Sequence, residues 1–251
     1  MRSSARLLCA LGALSLLVPG AAQAKRRQAT EAAYTVIARA TMEERWQFLE
    51  RSEIRCLNPA PGTCTVETSG SGTAKMQLKA KPTTWLVMRG ANGRPPSLNV
   101  GTGEGAQLRG SYLRTGKLET IHGGPWAEAN PPEIAETSGC GTKDIEVDFN
   151  LSWEGRNQLA PSAIVSDQRD DCPDGPNTGL EWDDDESPSL MDVVTQAAQS
   201  KFLKTKQFTV SGTKSWHASA TPPTGSYVLR SGEKTVKWSW SVTFQMNKKR
   251  R

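Results

Sequence analysis

Two histidines, eight tryptophans and a dense run of carboxylates are the side chains in this 251-residue chain whose types could support chemistry. The imidazoles are His122, in His-Gly-Gly-Pro-Trp, and His217, in Trp-His-Ala-Ser. A catalytic imidazole needs a nucleophile held beside it, and neither histidine lies in a nucleophile motif such as Gly-x-Ser-x-Gly. Two histidines this far apart also supply no paired metal-ligand spacing. No catalytic residue is therefore assigned, and the chain is read as a non-enzyme.

Carboxylates gather at Asp167, Asp170, Asp171, Asp174, Glu181, Asp183, Asp184, Asp185 and Glu186, around Cys172. A hard cation takes oxygen ligands, so calcium is the one metal this Asp167 to Glu186 loop would suit. The oxygen ladder of an EF-hand is missing, because Asp174-Gly175 follows Cys172 and Pro173. The loop is read as solvated acid, with no cofactor or metal expected. Asp144, Glu146 and Asp148 share one side of a strand-like segment, where like charges repel. Lysines of a neighbouring strand, such as Lys237, are expected to pair with them.

Of the tryptophans, Trp46, Trp85, Trp153, Trp238 and Trp240 fall in strand-like segments, where core packing explains them. Trp126, Trp182 and Trp216 fit that explanation less well, and Trp126 and Trp182 fall in irregular stretches. A planar ring on a loop either plugs the open end of a core or stacks on a sugar ring, so Trp126 and Trp182, with His217, form the candidate ligand-binding set.

The elements that must position these groups are strands. Val236, Trp238, Trp240, Val242, Phe244 and Met246 alternate with polar residues, as do Ile145, Val147, Phe149, Leu151 and Trp153. Tyr34, Val36, Ala38, Ala40, Met42, Trp46 and Phe48 share one parity too, broken only by Glu44. A period of two with one polar side predicts antiparallel strands whose other side is buried. Shorter strands are expected at Thr73–Lys79, Thr84–Arg89, Ala106–Arg114, Gln158–Val165, Phe208–Trp216 and Ser226–Leu229, separated by Gly, Pro, Ser and Asn. Gly90 to Gly141 and Asp167 to Glu186 otherwise read as long loops. Pro188–Lys204, capped by Ser187, is a possible helix; a strand over Leu190–Thr195 followed by a helical turn over Ala197–Leu203 is the alternative. Ser71-Gly72-Thr73 echoes Ser211-Gly212-Thr213, but the offsets of the surrounding matches differ, so no repeat is inferred.

Residues 1–24 read as a secretory signal peptide: Arg2 and Arg6 precede the apolar run Leu7–Val18, and Ala22-Gln23-Ala24 predicts cleavage before Lys25. The run is too short to span a bilayer, and no second transmembrane stretch follows. Cleavage removes Cys9 and leaves four of the five cysteines, an even number suited to disulfides in an oxidising compartment. Cys56 is expected to pair with Cys64, and Cys140 with Cys172, each closing a Pro/Gly-rich loop. Cleavage also lowers the formal charge from +5 to +3. Without Lys25, Arg26, Arg27, Lys248, Lys249, Arg250 and Arg251 the body stands at −4, a mildly acidic domain between basic ends. Such ends are read first as solvated, disordered termini, and second as a hold on an anionic cell-surface polymer or membrane surface. Its basic residues form no patch interleaved with aromatics, so nucleic acid is not an expected partner.

The export signal, Tyr34-Thr-Val opening a strand, Phe208-Thr-Val-Ser-Gly-Thr and a final Trp-rich strand beside basic residues resemble the secreted β-rich proteins of high-GC, actinobacterial-type bacteria. That resemblance runs across most of the mature chain. It implies a fold type and no activity, and it carries over no site residues.

The resulting expectation is an all-β protein, an antiparallel β-sandwich with two disulfides and at most one short helix. It comprises a signal peptide (1–24), one domain (25–247, alternatively two lobes dividing near 125) and a basic tail (248–251). Its expected role is a secreted, non-catalytic binding or structural module of the cell envelope or extracellular space. A carbohydrate-binding module using its loop tryptophans is the first alternative and a secreted hydrolase the second.

Overall fold

Strict alternation requires a strand to keep one face buried, and the 26-residue β1 (Glu31–Cys56) does so from Ala32 to Phe48. The computed structural model describes residues 31–57, 60–90, 94–101, 106–141, 144–154, 157–163, 189–220 and 228–250, without the side chains of 137–140 and 248–250. The other strands are β2 (Gly62–Ala80), β3 (Thr83–Met88), β4 (Ser97–Val100), β5 (Ala106–Gly123), β6 (Glu133–Cys140), β7 (Ile145–Glu154), β8 (Gln158–Ser162), β9 (Thr195–Gln196), β10 (Gln207–Ser219) and β11 (Val228–Arg250). The pairings between them are antiparallel.

These strands form one 11-stranded sheet ordered β10-β11-β1-β2-β5-β7-β8-β9, with β3, β4 and β6 attached as side branches. Two stacked sheets were the expectation, but the described strands make a single sheet that rolls over a main core. The two ends of the strand order meet where the Thr195 hydroxyl on β9 donates to the Ser211 carbonyl on β10. Nearby, the buried Trp240 indole N–H donates to the Val193 carbonyl at 2.6 Å. Long strands twist, and a many-stranded twisted sheet curls, so a rolled sheet buries one face as two stacked sheets would. Alternation in a sequence is the same for both.

Inside the roll, side chains from both halves of the strand order touch. Trp153 on β7 lies edge-on to Phe202 (ring centroids 5.7 Å), and Phe202 packs on Phe208 of β10 (4.9 Å) and Phe244 of β11 (5.0 Å). Tyr34 meets all three phenylalanines edge-on, while Trp85 packs against Phe149. The face that excludes these aromatics carries the polar side chains. Among the described residues no helix is long and apolar enough to cross a membrane.

Glu44, which interrupts the apolar parity, stays on the buried face at 4% exposure. A strand cannot skip one residue without a bulge, so the carboxylate goes inside. Lys234 on β11 reaches it at 3.9 Å. Beyond Glu44 a second small core begins, in which Trp46 and Phe48 stack at 6.0 Å with Leu118 against them.

The helix expected over 188–204 does not form within its described part, 189–204. Two 3-10 turns, Leu190–Asp192 and Gln199–Lys201, flank the two-residue β9. The turn is capped by Ser189, whose hydroxyl accepts from the Met191 N–H while Asp192 accepts from the Ser189 N–H. Leu190, Val193 and Ala197 are buried while Val194 is half-buried and Ala198 exposed, so the apolar residues plug the meeting ends of the sheet and do not face one helical stripe. Gly90 to Gly141 is likewise no loop, since it holds β4, the 18-residue β5 and β6. Its many glycines masked a strand that continues past Arg114, because glycine lacks the side chain that reveals alternation.

The Cys56–Cys64 bridge joins the tip of the β1–β2 hairpin, with Cα atoms 5.7 Å apart. The expected partners Cys140 and Cys172 lie outside the described residues, Cys140 by its side chain alone. So do the signal peptide, the Asp167 to Glu186 loop and Trp182.

Candidate functional site

Where β5 ends, Gly124 has φ +67°, and an added Cβ would sit 2.1 Å from the Thr63 carbonyl oxygen. A left-handed glycine therefore lets the chain turn directly onto β2. The following Pro125 and Trp126 complete a 3-10 turn beside the disulfide. Trp126 is half-buried, its ring edge-on to His122 at 6.4 Å. Its carbonyl accepts from both the backbone and the side-chain amide of Asn130. The His122 Nδ1 is buried without a hydrogen-bond partner among the described residues.

The other described candidate, His217, lies on the opposite face of the sheet. It is exposed on β10, with Nδ1 3.3 Å from the Thr235 hydroxyl. Three strands, β11, β1 and β2, separate β10 from β5 in the sheet. Trp126 and His217 are thus not brought together, whereas Trp126 and His122 are. The carboxylate row of β7 finds its cation on β5: Arg109 binds Glu146 at 2.9 Å. Lys237 instead faces Glu43 and Ser215 in the register. Among the described residues no group of three acidic, histidine or cysteine side chains is placed to hold a metal ion.

Reading single strands misses a groove on the outer face. β1, β2, β5 and β11 run on past the main core, and their register aligns Glu233, Gln47, Ser71 and Lys117 in one row and Ser231, Leu49, Ser69 and Glu119 in the next. Small serines on β2 between longer neighbours leave a groove of about 530 Å³. Lys117 and Glu119 approach to 3.8 Å on one wall. Gln47 and Glu233 form the other. Hydroxyl, amide and carboxylate groups converge here without an imidazole or thiol, an inventory suited to holding a polar ligand by hydrogen bonds.

The floor of this groove rests on aromatic rings behind the sheet. A Cβ on Gly70 would lie 2.6 Å from Phe48 Cε1, one on Gly72 2.4 Å from Trp46 Cζ2, and one on Gly232 2.8 Å from Phe48 Cβ. Trp46 and Phe48 thus lie flat against bare backbone, while Arg114 covers the indole at 5.6 Å. Gly212, in the second Ser-Gly-Thr segment, likewise backs onto Trp240, whose Nε1 would be 2.8 Å from its Cβ. The echoed tripeptides are therefore two instances of one packing device, glycine under a tryptophan. Ser69-Gly70-Ser71-Gly72 is the one sequence signal that marks the groove. Comparison with protein-family models and with curated proteins found no match to this chain.

Proposed function

We propose that the chain is an exported, non-catalytic binding module that holds an envelope or extracellular glycan in the outer groove of β1, β2, β5 and β11. The groove itself carries this reading. Its volume of about 530 Å³ falls in the range of small-ligand sites, and its walls offer Gln47, Lys117, Glu119 and Glu233 over serine hydroxyls. A sugar ring presents hydroxyls that both donate and accept, which this mixture of amide, carboxylate, ammonium and hydroxyl groups matches. The signal-like N-terminus and the Cys56–Cys64 bridge are in keeping with an oxidising compartment.

Glycan-array binding of the purified mature chain tests the reading. Gln47→Ala with Glu233→Ala is expected to abolish the signal, and Trp126→Ala to leave it. Loss on Trp126→Ala alone would move the site to the tip beside the disulfide. No binding to any glycan would refute the proposal.

A further inference from the structure

We infer that the glycan is anionic and runs from the groove along the outer face of β1 and β2, an inference that rests on the glycan reading of the groove. The row next to Glu233–Gln47–Ser71 is Thr235–Arg45–Thr73, and beyond it the same face carries Lys237 and Lys75, then Arg39 beside Lys79. All five cations are exposed. Of them, Arg39 and Lys79 are direct cross-strand neighbours, a placement that costs free energy unless an anion screens it. Among the described residues no ion pair forms on any of the five.

Acidic side chains on these rows are few. Glu43 stands between Lys237 and Lys75 in the register, and the β7 carboxylates Glu146 and Asp148, with Asp144 just before the strand, border the field beyond Arg109, which binds Glu146. On β10 the face holds Ser211, Thr213 and Ser215, with Ser239, Ser241 and Thr41 beside them. Between the Arg45 row and the Arg39 row, the surface across β10, β11, β1 and β2 therefore combines five cations and one carboxylate, Glu43, with rows of hydroxyls, and Glu233 stands at its groove end. Thr41 and Ser239 already share a hydrogen bond at 2.6 Å.

Strands lie about 4.8 Å apart and alternate residues about 6.8 Å apart along each, so the cations cover a strip several sugar units long. Positive charge complements sulfates or uronates, and hydroxyls complement the sugar hydroxyls between them. Apart from His217, at the β10 end of the Thr235–Arg45–Thr73 row, no aromatic ring stands among these rows to stack on a base, which favours a polysaccharide over a nucleic acid.

The test compares a heparin-type sulfated oligosaccharide, a neutral β-glucan of the same length and a duplex DNA, using the mature chain and the variant Arg39→Gln/Lys75→Gln/Lys79→Gln/Lys237→Gln. Thermal melts establish that the variant is folded. The sulfated chain is expected to bind the wild type with an affinity falling on the order of tenfold between 50 and 200 mM salt. The variant should lose most of that affinity and its salt dependence, while neutral glycan binding stays as it was. Equal binding of neutral and sulfated glycans overturns the inference and leaves the groove reading standing. Equal binding of DNA overturns it as charge attraction without polymer preference, and failure to bind any glycan removes both.

Discussion

Removing one oxygen atom, in Tyr34→Phe, measures what ties the 3-10 turns to the sheet. The Tyr34 hydroxyl accepts the Leu203 backbone N–H at 2.9 Å and lies 3.5 Å from the Thr205 carbonyl, to which it donates. Leu203 has φ +68°, a left-handed conformation that costs a non-glycine residue free energy and persists when its surroundings hold it. Phenylalanine keeps the ring contacts with Phe202, Phe208 and Phe244, so the change isolates the hydroxyl. A net hydrogen bond contributes about 1 kcal/mol, and the stranded Leu203 N–H adds a desolvation cost of similar size, for a total of about 2 kcal/mol. With an m-value of about 3 kcal/mol/M, the urea midpoint should fall by about 0.7 M at constant m.

The pH dependence gives a second readout. Burial raises the Tyr34 pKa above 10.0, and the Leu203 N–H opposes this more weakly. A raised folded-state pKa means stability that is complete below the unfolded value and lost as pH rises through the folded one. The gap between wild type and Tyr34→Phe should therefore be full at pH 8 and shrink toward pH 11. A midpoint shift below about 0.2 M, or a gap that widens with alkali, would refute the reasoning.

Gly72→Ala places a methyl group 2.4 Å from Trp46 and 2.6 Å from the Thr115 carbonyl oxygen, and overpacking of this kind costs about 1 to 3 kcal/mol. A lowered melting temperature with altered tryptophan fluorescence is expected; an unchanged melt would show that Trp46 moves freely aside. Replacing Cys56 and Cys64 by Ala opens a bridge of sequence separation 8, worth about 2.5 kcal/mol in chain entropy. Denaturant titration of the double variant checks this, and a loss below about 0.5 kcal/mol would mean the hairpin tip is held by the Pro125–Trp126 turn and not by the bridge.

The long strands were legible because burial imposes a period of two: Tyr34 to Phe48, Ile145 to Trp153 and Val236 to Phe244 lie as their parity requires. Even Glu44 obeys that parity, although as a charged residue it looked like a break. β5 was legible only to Arg114, since Gly116 hides the alternation. The segment after Ser189 resisted reading because its apolar spacing fits a helix, while the two approaching sheet edges select 3-10 turns that insert Leu190 and Val193 between them. Cys56 and Cys64 were legible as a pair by the short loop between them.

Of the candidate site residues, Trp126 gave a loop signal and ends the 3-10 turn that follows β5, yet nothing local indicated that His122 would be its neighbour. The groove residues gave almost none. Gln47, Ser71, Lys117 and Glu233 are ordinary polar positions on four separate strands.

Local alternation by itself determined which side chains of each strand face inward, because that depends only on backbone geometry within the strand. Which outward side chains become neighbours depends on strand order and register. These follow from pairings such as β1 with β11, which joins residues some two hundred positions apart, from Glu31 to Arg250. The rolled single sheet, the groove and the cationic strip therefore exist only in the tertiary structure, where rows of unrelated segments are brought within 5 Å of one another.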